Sequence, residues 1–332
     1  MTDYGSWSHQ GYLRYIFPLI ESLENQDPRG ELRSLQTYYC RPNESGDGVR
    51  LYPSMLTLLA WRALNPTEEV TQDLCKLATA VELYHNFTLT HDDILDSHDI
   101  RRNRPTIVKT HGKSRSMLVG NMMISDAMNL LASLPNPGPL LSCFAQSLAL
   151  LNIGQNLDEH DTWLNIPQKK GWDHWWHTSR LKLEVGVFAA KSAAIFAGRT
   201  DLVPYWETLE ESISLVSQII NDTGDVFGFT GFYTTVGSDR KEEEETAIKS
   251  TYPILWLMKE KGLSDIPRGN LKNILLESKY IDHARDTIET LRCKALNQID
   301  LMQLPDSAYR NIWIDYLNGP KLASHHFETK DS

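Results

Sequence analysis

Cysteine is scarce: Cys40, Cys75, Cys143 and Cys293 are the four thiols of a 332-residue chain, and no two share a C-x-x-C spacing. That scatter offers neither a disulfide framework nor a zinc-ligand set, so reduced thiols in a cytoplasmic protein are expected. Positive charge is also short. With 33 Lys and Arg against 43 Asp and Glu, the net charge is −10, the reverse of the basic face that nucleic-acid binding requires. Long apolar runs are missing too, so no membrane span is expected. The most apolar stretch, Leu140 to Ile153, is interrupted by Ser142, Gln146, Ser147 and Asn152 and reads as a buried helix. Met1 to Gly5 bring no basic segment leading into an apolar one, so no signal peptide is expected. Strand signals are nearly absent.

What remains is helical periodicity in a chain that is 41% hydrophobic and 23% charged, an ordinary balance for a soluble globular protein. Apolar spacing predicts helices over 8–25, 51–64, 68–97, 113–133, 139–156, 173–198, 203–228, 247–262, 270–298 and 306–317. Breakers separate them at Asn25–Gly30, Pro42–Gly48, Leu134–Pro139 and Ile166–Gly171. No composition shift marks a linker and no internal repeat occurs. Residues 1–332 therefore read as one all-α domain, a single large helical bundle.

Two acidic stripes carry the chemistry. Within 81–106, an apolar-periodic run presents Asp92, Asp93 and Asp96, with Arg101 and Arg102 just beyond. On a helix, His85, Leu89, Asp92 and Asp96 fall in one row. Three carboxylates this close repel unless a cation sits among them, and hard divalent ions with oxygen ligands, Mg²⁺ above all, serve that purpose. The bland reading is a solvated acidic helix end. Far downstream, Gln218, Asp222 and Asp225 again share one helical face, with Asn221 beside them. If the two helices face each other, a multi-metal site forms between them. A glycine turn with Arg50 ahead of an apolar helix can hold an anion, and Lys249 opens another helix. Trp172, Trp175 and Trp176 read as an aromatic wall, more often core than a cation cage.

In order along the chain these pieces resemble the trans-isoprenyl diphosphate synthase, or polyprenyl synthetase, family. Its DDxxD, RR and PT elements stand as Asp92 to Asp96, Arg101-Arg102 and Pro105-Thr106. The QxxDDxxD element runs from Gln218 to Asp225 with Asn221 for the first aspartate, GQxxD is Gly154 to Asp158, and GKxTxP becomes Ile248 to Pro253. The resemblance implies an isoprenoid synthase fold around a central cavity, three Mg²⁺ ions with two or more held through the first motif, and a homodimer. It further implies that an allylic prenyl diphosphate ionises and that its cation couples to an acceptor. By position, Asp92, Asp96 and Asp222 would be metal ligands, with Asn221 and Asp225 in the second cluster and Asp93 supporting. Arg101, Lys182 and Lys249 would clamp the allylic diphosphate, and Gln218 would lie beside it. Arg50, His85 and Arg102 would face the acceptor's diphosphate, while Phe87 and Thr88 occupy the positions where product length is set.

The sequence departs from the family where the acceptor is held. GGKRxRP reads Gly46-Asp47-Gly48-Val49-Arg50-Leu51-Tyr52-Pro53, so two cations have become Val49 and Tyr52. Each lost charge-assisted hydrogen bond removes roughly 1.5–3 kcal/mol from diphosphate binding. Three readings follow. The chain transfers a prenyl group to isopentenyl diphosphate or to a non-standard acceptor such as an aromatic ring; it is a terpene cyclase; or it is a non-catalytic partner subunit of a synthase.

Overall fold

The longest apolar-periodic stretches become the longest helices. The structure, a computed structural model, describes residues 4–24, 30–42, 53–160, 171–227, 250–261 and 271–319. Its helices are α1 (Tyr4–Gly11), α2 (Phe17–Glu24), α3 (Glu31–Cys40), α4 (Pro53–Leu64), α5 (Gln72–Leu95), α6 (Ile107–Ala132), α7 (Pro137–His160), α8 (Gly171–Lys182), α9 (Glu184–Phe196), α10 (Val203–Phe227), α11 (Tyr252–Lys261), α12 (Leu271–Glu277), α13 (Tyr280–Leu301) and α14 (Ala308–Asn318). A π-helical turn, Tyr12–Ile16, joins α1 to α2, and a 3₁₀ turn, Thr200–Leu202, leads into α10. The expected all-α class holds, and no described helix is long and apolar enough to cross a membrane.

α5 is the central element. Thr71 caps its start by accepting from the Leu74 amide at 3.2 Å, and Leu74, Leu77, Ala78, Val81, Leu83 and Tyr84 are completely buried along it. It packs along α6 and against α4 and α9, while α10 lies against α9 and α13, and α7 against α8 and α9. This apolar interior brings the C-terminal half of α5, the end of α8 and the C-terminal half of α10 into one region.

Four local features differ from the periodicity. α3 was not foreseen, because its buried face includes Gln36 and Thr37; Gln36 and Arg33 both donate to the buried carboxylate of Asp126 on α6. The helix expected over 173–198 breaks at Leu183 (φ −97°, ψ 12°). The one expected over 270–298 breaks at Lys279, which is left-handed at φ 62°.

The fourth feature is a hairpin after α5, in which β1 (Ile100–Arg101) pairs antiparallel with β2 (Arg104–Pro105). Arg102 and Asn103 turn it with φ 54° and 60°, the two left-handed residues of a type I′ turn. Thr106 then caps α6 through Lys109 N at 3.1 Å and donates to the His98 carbonyl at 2.7 Å. Arg104 donates to the carbonyls of Tyr38 at 3.3 Å, Arg41 at 2.9 Å and Pro42 at 2.6 Å, tying the hairpin to the end of α3.

Candidate active site

The last turn of α5 sorts its aspartates by face. Asp92 and Asp96 are partly exposed and share a side, whereas Asp93 is fully buried. Asp93 accepts from the Tyr39 hydroxyl at 2.6 Å and from Arg101 Nε at 2.5 Å. A second Arg101 nitrogen donates to Asp92 Oδ2 at 2.9 Å. Burial disfavours the guanidinium charge, but Tyr39, Asp93 and Asp92 outweigh it and hold the Arg101 pKa above its usual value. Asp93 thus fixes Arg101, and Arg101 spans the cluster. One donor atom each from Asp92, Asp96 and His98 lies within 4.8 Å of the others.

Lys182 ends α8, where α7 and α8 cross closely. A Cβ on Gly154 would stand 2.6 Å from Leu181 Cβ and 2.8 Å from Lys182 N, so glycine alone admits the crossing. One turn along α7, Asp158 receives the Lys182 ammonium at 2.6 Å. Burial opposes that charge, but Asp158, followed by Asp92 and Asp222, raises the lysine pKa overall. Carboxylates from α5, α7 and α10 therefore converge electrostatically on one cation.

On α10, Gln218 donates to Asp222 Oδ1 at 2.6 Å. The other oxygen, Oδ2, accepts from the Trp175 indole at 2.9 Å and the Tyr252 amide at 2.8 Å. Asp222 is 5% exposed, so neutral donors hold an almost buried carboxylate. Asn221 Oδ1 is buried with no hydrogen-bond partner among the described residues. An orphaned buried oxygen beside such a carboxylate is a donor set that suits a hard divalent ion. The asparagine at this point leaves an oxygen in place.

Residues 37–277 match the family model described as polyprenyl synthetase. The chain belongs to the polyprenyl synthetase family. It is a prenyltransferase, as its relatives' names indicate. Among curated polyprenyl synthetases it is 28% identical over 292 residues, 81% of this chain and 83% of the relative, to an all-trans-nonaprenyl-diphosphate synthase (geranyl-diphosphate specific) of Rhodobacter capsulatus. It is 30% identical over 204 residues, 58% of each chain, to a geranylgeranyl diphosphate synthase of Methanosarcina mazei. A solved decaprenyl diphosphate synthase from Rhodobacter capsulatus matches with TM-score 0.71 over 95% of this chain and 96% of that one, at 21% identity. The geranylgeranyl pyrophosphate synthetase of the archaeon Geoglobus acetivorans gives 0.72 over 93% and 97%, also at 21%. These likenesses establish the isoprenoid synthase fold.

Further residues fall into place within this polyprenyl synthetase. Arg102 donates to Asn86 Oδ1 at 3.2 Å and stands 3.4 Å from His85 Nε2. Phe87 is buried, its ring 6.5 Å from that of Tyr84. Tyr84 meets Phe144 at 5.0 Å and Phe188 at 5.9 Å, and those two lie 5.4 Å apart. Thr88 turns its hydroxyl onto the His85 carbonyl at 2.7 Å. Arg50, Val49, Tyr52 and Lys249 lie outside the described residues, as does the side chain of Asp225.

Sequence reasoning placed Trp175 in an aromatic wall and Asp158 in the GQxxD element without a task at the site, and it gave none to Tyr39 or His98. GQxxD was a usable signal for Asp158. For Trp175 the only cue was its tryptophan-rich run, which says nothing about which indole faces Asp222.

Proposed function

We propose that this polyprenyl synthetase ionises an allylic prenyl diphosphate between geranyl and geranylgeranyl length and couples the cation to an acceptor. The carrying observation is the convergence of Asp92, Asp158 and Asp222 on the charge of Lys182, which supports a shared site built from the two acidic motifs. Asp92 and Asp96 on α5, with Asn221, Asp222 and Asp225 on α10, are the residues to hold Mg²⁺, and three ions are proposed. When bound, the ions stabilise the negative charge that gathers on a departing diphosphate.

The chain's own residues do the rest. Lys182 stays protonated and offers a partly buried positive charge to the leaving group. Arg101 and Lys249 join it on the allylic diphosphate, Asp93 holds Arg101, and Gln218 orients Asp222. Arg50, His85 and Arg102 take the acceptor's diphosphate. Phe87, whose ring lies 6.5 Å from that of Tyr84, and Thr88 limit the length of the chain. The loss of two cations at Val49 and Tyr52 supports weakened isopentenyl diphosphate binding or a non-standard acceptor. A cytoplasmic homodimer with one domain per chain completes the reading.

The test is incubation with Mg²⁺ and geranyl, farnesyl or geranylgeranyl diphosphate, each with and without isopentenyl diphosphate. A longer prenyl diphosphate supports ordinary elongation, and turnover only with a third compound supports another acceptor. Hydrocarbon or alcohol formed without any acceptor indicates a cyclase and overturns transfer. No turnover with every substrate, together with tight binding to another synthase, supports the partner subunit instead. Asp92→Ala is expected to abolish turnover, and retained activity overturns the metal assignment.

A further inference from the structure

We infer that Tyr39 is a positioning residue for the reaction: its hydroxyl fixes the Asp93 carboxylate, and through it the edge of Arg101 that receives the allylic diphosphate. The inference rests on the diphosphate reading above and adds to it a residue of α3, outside both acidic motifs.

The end of α3 is a firm place for a donor. Tyr12 donates its hydroxyl to the Cys40 carbonyl at 2.7 Å, Tyr38 donates to the Pro105 carbonyl at 2.9 Å, and Arg104 returns to the Tyr38 carbonyl at 3.3 Å. The two tyrosines reach different partners. Tyr38 binds the hairpin, whereas Tyr39, 8% exposed, turns inward to α5. There its hydroxyl donates to Asp93 Oδ2 at 2.6 Å.

Asp93 is fully buried, so each of its oxygens needs a donor. Oδ1 receives Arg101 Nε at 2.5 Å, and Tyr39 supplies the donor for Oδ2. With both oxygens engaged the carboxylate is held against rotation about χ2, a torsion otherwise broad for aspartate. Arg101 is then gripped along one edge, Nε by Asp93 and Nη2 by Asp92 Oδ2 at 2.9 Å. Its remaining nitrogen, Nη1, makes no hydrogen bond among the described residues. The two donors of Nη1, on a guanidinium fixed in place, are left for an anion such as a diphosphate. Removing the Tyr39 hydroxyl orphans Oδ2, frees Asp93 to turn, and lets Arg101 pivot about Asp92. The positive charge stays, and its aim is lost.

The test is a double-mutant cycle on the full chain, with inorganic pyrophosphate in Mg²⁺ as the probe and calorimetric affinity as the readout. Tyr39→Phe keeps the ring and is expected to weaken pyrophosphate binding about tenfold, within the range of couplings found inside one hydrogen-bond network. Arg101→Lys keeps the charge without the fork and is expected to weaken it at least as much. The double variant is expected to bind no more weakly than Arg101→Lys alone. In the free wild type, the Arg101 Nε–H resonance, assigned by its loss in Arg101→Lys, is expected to exchange slowly with water, and in Tyr39→Phe rapidly. Losses that multiply in the double variant show Tyr39 acting apart from Arg101 and overturn the inference. Unchanged affinity in Tyr39→Phe overturns it as well. So does a rapidly exchanging Nε–H in the wild type, a measurement that stands even where Tyr39→Phe fails to fold. If Arg101→Lys binds pyrophosphate as the wild type does, or the wild type binds none, the diphosphate reading itself falls and takes the inference with it.

Discussion

The indole nitrogen of Trp175 donates to Asp222 at 2.9 Å across 47 residues of sequence. A buried carboxylate is thereby fixed by a ring that cannot swing away, since Trp175 is itself 3% exposed and packs on Tyr252 at 4.7 Å. Trp175→Phe keeps most of the ring and removes the donor. Loss of a hydrogen bond to a charged group is expected to cost about 1.5–3 kcal/mol in urea unfolding. Because Asp222 is left less constrained, the Mg²⁺ concentration for half-maximal rate is expected to rise, with the rate recovering at high Mg²⁺. An unchanged Mg²⁺ requirement would show that Trp175 serves packing alone.

Asp93 and Asp92 are expected to separate stability from catalysis. Asp93→Asn removes the buried partner of the Arg101 guanidinium but leaves Asp92 bonded to it at 2.9 Å, and breaking a buried pair costs up to about 3–5 kcal/mol. Since the Arg101 side chain keeps 20% exposure, the lower end is expected. Asp92→Asn touches a more exposed carboxylate and is expected to abolish turnover with little change in unfolding. Denaturation curves and rates on both variants check this, and a larger stability loss in Asp92→Asn would reverse the assignment.

Phe87 bears on product length. Phe87→Ala removes the ring beside Tyr84 and is expected to lengthen the prenyl product by at least one unit, read by chromatography of the dephosphorylated alcohols. Truncating a buried phenylalanine also costs about 3–5 kcal/mol, so the assay belongs at low temperature. Unchanged product length would remove Phe87 from the role.

Gly154→Ala drives a methyl group into the Leu181 and Lys182 backbone. Such overpacking costs about 1–3 kcal/mol, and here α8 must shift with Lys182 attached. A drop in melting temperature together with a loss of kcat beyond that of a mere stability variant is expected. Full kcat at a temperature where the variant is folded would show that the Lys182 position tolerates the shift.

Glu210 predicts a pH dependence. It is 1% exposed, its Oε1 has no partner among the described residues, and burial pushes its pKa up to about 8 from an ordinary 4.5. The folded value is raised, so the stability contributed by the neutral acid is complete below pH 4.5 and is lost as pH rises through about 8. Stability should therefore decline across that window, by up to about 1.4 kcal/mol per pH unit. Glu184, pushed to about 7 chiefly by burial, acts in the same direction. Glu210→Gln is expected to flatten the decline and to be more stable than the wild type at pH 8, with the gain shrinking at pH 5. Parallel unfolding curves at both pH values for the two proteins would exclude a buried titration at this position.

Fold class and the first acidic motif were legible because both are periodic: the stripe through Leu89, Asp92 and Asp96 is a consequence of helical geometry alone. α3 was hidden because Gln36 and Thr37 are buried polar residues, and the partner of Gln36, Asp126, lies 90 positions away. The break at Leu183 lies beside the close crossing of α7 and α8 at Gly154, a long-range contact that local composition does not encode. Asp93 illustrates the same limit. Its type and spacing match its neighbours, yet its role is set by Tyr39, a residue on the unforeseen helix.

Arg104 sets a border between two parts of the chain. By gripping the carbonyls of Tyr38, Arg41 and Pro42, it anchors the point where the chain leaves α3 to the same hairpin that carries Arg101 and Arg102. Pro53 begins α4 and is itself buried. The segment from 43 to 52 is thus bounded at both ends by structure that does not depend on its own sequence. A substitution at Val49 or Tyr52 is therefore expected to leave intact the contacts that Asp93 and Arg104 make beyond the anchor. The hairpin's hold on the end of α3 is thus independent of whichever residues fill positions 43 to 52.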